Sequence, residues 1–138
     1  SITQADVDRA DGFDVVHAKW AAWLGKYDIG TVLLGSYGLY DYKQIMKDCA
    51  YHVLPFPFRG DHLNIKEYVP TKFGWGKKGV GQQKALKRLG IAVEGVAHRG
   101  IDDARMATKL LQRAAYAGED GHWYRLAAHE VMRGYHNG

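Results

Sequence analysis

The sequence predicts an α/β fold of packed layers, and three observations predict it. Segments with helical apolar spacing alternate with two short apolar runs, in the order helix–strand–helix–strand–helix–helix. The first run, TVLLGS (31–36), is apolar and β-branched at its start, as a buried strand of a parallel sheet is. Hydrophobic residues make up 46% of the 138-residue chain, enough for the core of one domain.

Each element follows from its own pattern. Phe13, Val16, Trp20, Trp23 and Leu24 recur at helical spacing, with Asp11 or Asp14 as a cap and the two tryptophans as core. DYKQIMKDCAYH (41–52) predicts a helix with Ile45, Met46, Cys49 and Ala50 inward. LPFPF (54–58) breaks it. HLNIKEYV (62–69) predicts a second strand. KFGWGKKGVG (72–81) carries four glycines and predicts a loop. QQKALKRLG (82–90) is a short helix ended by Gly90, and IAVEGVA (91–97) an extended connection. Residues 103–115 form a helix with Ala107, Leu110, Leu111 and Ala114 inward, and 123–135 a last helix. Two strands are few for the helices they must support.

Composition narrows the function. No apolar run approaches the ~20 residues that span a bilayer, and no signal peptide is evident. These features predict a chain with no membrane partner. The single cysteine, Cys49, permits no internal disulfide and fits a reducing, cytoplasmic setting; its apolar helix face reads as core. The net charge of +4 is a modest bias towards polyanions. From Tyr68 to Val93 there is no acidic residue, while Lys72, Lys77, Lys78, Lys84, Lys87 and Arg88 occur with Phe73 and Trp75 between them. Cations bind phosphates and aromatics stack on bases, although a solvated face explains this window alone more simply.

One stretch combines chemistry with structure. In HRGIDDARMATKLL (98–111), His98 precedes Asp103 by five residues. Counting back four from Ala107 puts Asp103 at the head of the inward stripe, and leaves Asp102 as the helix cap. A carboxylate turned inward is costly unless paired, hydrogen-bonded or bound to a metal. Asp41 repeats the pattern, starting a helix just beyond the strand at 31–36. Two carboxylates beyond strand ends and one loop histidine suit hard Mg²⁺ or Mn²⁺. Taken on spacing alone, two helix caps and a surface histidine account for the pattern better.

Together these motifs resemble the DEDDh 3′–5′ exonucleases. HRGIDDARMATKLL is similar to the family's third motif, in the branch of the histone-mRNA 3′-end exonuclease and the bacterial sporulation-inhibitor-type exonucleases. GSYGLYDYKQIMKDC resembles that branch's second motif, and SITQADVDRA, HLNIKEYV and KALKRLGIAVEG fall in the expected order. The resemblance covers roughly residues 1–115. It implies an RNase H-like fold and hydrolytic release of nucleoside 5′-monophosphates from a 3′ end. It also implies two divalent ions, Mg²⁺ or Mn²⁺, with Asp41 and Asp103 as ligands and His98 as general base. The expected substrate is single-stranded nucleic acid, with RNA slightly favoured.

The chain departs from the family at the first motif, Asp-x-Glu on the first of three antiparallel strands. The sequence begins at SITQ, and neither ADVDRA (5–10) nor FDVV (13–16) replaces that motif. The expectation is one incomplete exonuclease domain over residues 1–138, lacking its first three strands, with 116–138 as a C-terminal extension. Such a chain alone should have little or no activity. Its exposed sheet edge predicts a homo-oligomer or a chain supplying the missing strands. A non-catalytic nucleic-acid-binding or assembly module is the alternative. Lys77 and Lys78 are the candidate phosphate contacts. Ser36, Tyr37 and Tyr40 stand beside Asp41 and can touch substrate, though packing or backbone bonding explains them equally. Asn64 and Lys66 are weaker candidates for the cleft.

Overall fold

A computed structural model describes residues 2–27, 33–58, 62–76 and 78–116. Lys77, the start of the first predicted strand (31–32), and nearly all of the proposed C-terminal extension lie outside them. The elements are α1 (Gln4–Arg9), α2 (Phe13–Leu24), β1 (Leu34–Ser36), α3 (Tyr40–Tyr51), β2 (His62–Asn64), α4 (Ile65–Lys72), α5 (Gln82–Arg88) and α6 (Gly100–Ala115). Strands β1 and β2 pair in parallel, with Leu34 opposite His62 and Ser36 opposite Asn64. The fold is thus mixed helix and strand around a small parallel sheet, as an α/β nuclease fold allows.

The core lies where β2, α4, α5 and α6 meet. Leu63, Ile65, Tyr68 and Val69 pack with Ala85 and Leu86, and with Met106, Ala107, Leu110 and Ala114. Burying a leucine such as Leu110 contributes roughly 1.5–3 kcal/mol. The inward face of α6 is therefore the predicted one, with Leu111 half-buried beside it. Cys49 is free and buried, as expected of a core thiol.

Several expectations are corrected. Only residues 62–64 of HLNIKEYV are strand, because Ile65, Tyr68 and Val69 follow a helical stripe into the core. Pro70 sits inside α4 and has no N–H to give the Lys66 carbonyl one turn back. The Val80 N–H donates to that carbonyl instead, at 3.4 Å. Tyr37 Oη donates to the Val80 carbonyl at 2.7 Å. The loop before α5 is thereby fastened both to α4 and to the end of β1.

Helix α2 starts at Gly12 with no side-chain cap, so neither Asp11 nor Asp14 caps it. His17 and Leu24 are its buried residues; Trp20 is half-buried against Phe58, and Trp23 is exposed. His17 is stabilised there by its Nε2 bond to the Pro55 carbonyl at 2.8 Å. On α3, Cys49 is buried and Ile45 half-buried, but Met46 and Ala50 face outward. The segment ADVDRA is largely helix α1, stabilised by a capping box between Thr3 and Asp6.

Candidate active site

A cleft of roughly 880 Å³ opens between the end of β1 and the starts of α5 and α6. Asp41, His98 and Asp103 all line it, together with Ser36 and Tyr37. These five sequence-predicted residues are brought to one wall system by three devices. Strand β1 ends at Ser36, and a turn with Gly38 at φ +109° leads into α3, whose first turn carries Asp41. Only glycine adopts that φ without strain. Helix α6 begins at Gly100, so Asp103 stands in its first turn near the helix's positive end.

His98 and Asp103 are joined directly. The His98 backbone N–H donates to Asp103 Oδ1 at 3.3 Å. His98 holds φ +66°, a left-handed conformation rare for a residue with a side chain. That backbone costs about 1–2 kcal/mol and marks sites where position matters more than relaxation. Gln82 of α5 donates through Nε2 to the Asp103 carbonyl at 2.8 Å, tying the two helix starts together.

The two aspartates of the third motif do not keep the roles that counting gave them. Asp102 is the buried one, and no side chain caps α6, whose N-cap position is Arg99. Asp102 Oδ2 accepts from the Val96 N–H at 3.1 Å, and Oδ1 meets Arg105 at 3.4 Å. Met106 is buried, so the inward line runs back four residues to Asp102. Asp103, half-buried, is left to face the cleft.

Tyr37, on the cleft wall, is held by its bond to the Val80 carbonyl, and its burial pushes the phenol pKa up to about 12. The other predicted residues are spread. Tyr40 is exposed. Lys78 is exposed and does not line the cleft, whereas Lys84 does. Lys84 was legible only as one charge of the acid-free window. Asn64 is buried and accepts from the Gly38 N–H at 3.1 Å, and is not presented to a ligand. Trp75 stacks on Phe73 at 5.3 Å and carries the Arg88 guanidinium at 5.0 Å, so its ring is already engaged.

The donor chemistry suits a hard divalent cation only in part. Among the described residues no cluster of three or more His, Cys, Asp or Glu groups stands ready to hold a metal ion. Asp41 and Asp103 by themselves do not make a two-ion site. Among the described residues, no helix is long and apolar enough to cross a membrane.

A small α/β fold with two carboxylates and a histidine on one cleft defines a class that the chain's homologues make specific: they are 3′–5′ exonucleases, consistent with the DEDDh family. The 3′-5′ exoribonuclease 1 of Rattus norvegicus is 29% identical over 120 residues, covering 80% of this chain and 35% of the relative. The probable 3′-5′ exonuclease KapD of Bacillus subtilis is 30% identical over 111 residues, covering 80% and 52%. The human 3′-5′ exoribonuclease 1 is 30% identical over 120 residues, covering 80% and 34%. The chain therefore spans between about a third and a half of the length of these relatives. No family model and no solved structure matches the chain.

Proposed function

We propose that the chain carries the second- and third-motif part of a metal-dependent 3′–5′ exonuclease with an RNase H-like fold, acting on RNA or single-stranded DNA. The observation that carries this reading is the meeting of Asp41, His98 and Asp103 on one cleft. The names of the homologues support the reaction class.

In this reading His98, exposed at the cleft rim, takes the proton of the attacking water through its imidazole. Its left-handed backbone and the hydrogen bond its N–H donates to Asp103 fix where that imidazole starts. Asp41 and Asp103 would each offer a carboxylate to Mg²⁺ or Mn²⁺, and such an ion would stabilise the attacking and leaving oxygens. Lys84 within the cleft attracts the phosphate backbone, and Lys77 and Lys78 add positive charge in the same acid-free window of sequence. The outer edge of β1, beside an apolar groove of Trp20, Trp23, Leu24, Leu33 and Phe58, is where a further strand adds.

The test is incubation of 5′-labelled single-stranded RNA, and of DNA of the same sequence, with the chain and Mg²⁺. The reading expects oligonucleotide binding, with any cleavage running stepwise from the 3′ end and abolished by His98→Ala. Brisk trimming by the 138-residue chain alone, lost in Asp103→Ala, would show that the ligand set is complete within it. Absence of binding, or cleavage from the 5′ end, contradicts the proposal.

A further inference from the structure

Strand β2 presents two polar side chains, His62 and Asn64, to the turn that joins β1 to α3. They are two residues apart and so share a face of the strand. Both are spent on the turn. The Gly38 N–H donates to Asn64 Oδ1 at 3.1 Å, and His62 Nε2 lies 2.6 Å from Ser36 Oγ.

The second contact has a determinate direction. Ser36 Oγ also lies 2.8 Å from the Gly38 carbonyl oxygen, which has no proton to give. The single hydroxyl proton of Ser36 therefore goes to Gly38, and Ser36 Oγ accepts from His62. It follows that Nε2 of His62 carries a proton. The same imidazole stacks on Tyr42, with ring centres 4.5 Å apart and planes 17° from parallel. Tyr42 directly follows Asp41. One ring thus ties β2 both to the turn before Asp41 and to the helix that carries it.

We infer that His62 is a positioning residue for the cleft: by donating to Ser36 it fixes the turn at 36–38 and leaves Ser36 Oγ a hydrogen-bond acceptor towards the ligand. With its proton committed and one lone pair filled, Ser36 can serve a ribose hydroxyl or a base N–H. A phosphate oxygen, which has no proton to give, finds no partner there. This rests on the exonuclease reading, since that reading supplies the nucleotide.

Two measurements on the full chain test it. A long-range ¹H–¹⁵N spectrum of ¹⁵N-histidine-labelled protein at pH 8 should show His62 as the Nε2–H tautomer; the Nδ1–H tautomer overturns the inference. Binding of a fluorescein-labelled single-stranded oligoribonucleotide, read by anisotropy, should weaken by about tenfold in His62→Phe, which keeps the ring stack but cannot donate. Ser36→Ala should lose a similar factor, the double variant no more than either, and His62→Gln should recover most of the affinity. Losses that multiply in the double variant, or a His62→Phe protein that melts lower yet binds as wild type, overturn it. If His62→Phe does not fold, Ser36→Ala, His62→Gln and the tautomer decide. A wild-type chain that binds no oligonucleotide ends the nuclease reading and this inference together; wild-type binding left intact by the variants ends this inference alone.

Discussion

The backbone amide of His98 donates to the Asp103 carboxylate at 3.3 Å, across the four residues that separate them in sequence. The bond uses the amide and not the imidazole, and His98 lines the cleft with its backbone held at a left-handed φ of +66°. Glycine takes that φ freely and alanine does not. His98→Gly is therefore expected to be more stable than His98→Ala by about 1 kcal/mol, from urea denaturation. Neither should support any cleavage that wild type shows. Equal stabilities of the two variants would mean the backbone is not left-handed.

Gly95 stands against Asp102 so closely that an added Cβ would lie 2.3 Å from its carboxyl carbon, and its φ is +81°. Gly95→Ala is expected to lower stability by about 2 kcal/mol or more, from strain and from displacing the carboxylate that holds the Val96 amide. Thermal melting checks this. A melt within a degree of wild type would contradict the burial of Asp102.

Much of this arrangement was legible in the sequence, and the failures have physical causes. The inward face of α6 was read from apolar periodicity, which packing enforces, and the parallel β1 from a short apolar, β-branched run, although Leu34–Ser36 are only partly buried and not the buried strand expected. The register at the head of α6 slipped by one because counting started from Ala107. Met106 is also buried, which moves the stripe onto Asp102 and turns Asp103 outward. HLNIKEYV was read as all strand because its residues favour strands, yet Ile65, Tyr68 and Val69 also satisfy helical spacing, and tertiary packing selects the helix. The bond between His62 and Ser36 had no sequence signal, because it joins residues from different strands.

Burial holds the His62 imidazole below its usual value of 6.5, and the Asp41 charge partly offsets this. The unfolded chain takes up a proton near pH 6.5 that the native state resists. The contribution is thus complete above that pH and is lost as pH falls through the folded value. Wild type should lose more of its urea midpoint between pH 8 and pH 5.5 than His62→Gln does. Equal losses would remove the assignment.

Lys84 lines the cleft, whereas Lys78 lies outside its lining. If each lysine neutralises one phosphate, Lys84→Gln should reduce the slope of log affinity against log salt by about 0.7 for a single strand. Lys77→Glu with Lys78→Glu should flatten it further. Filter binding across a salt series reads both, and an unchanged slope removes the residue concerned from the interface.

The account turns on Asp41, His98 and Asp103 sharing one cleft that attracts a divalent cation. Titration of ¹⁵N-labelled chain with Mn²⁺ tests this most directly, because the paramagnetic ion broadens only the signals near it. The amides of residues 41, 98 and 103 should broaden together at the lowest additions, and Asp41→Asn with Asp103→Asn should abolish the effect. Broadening confined to the acidic surface of α1, at Asp6 and Asp8, with those three signals sharp, would contradict it.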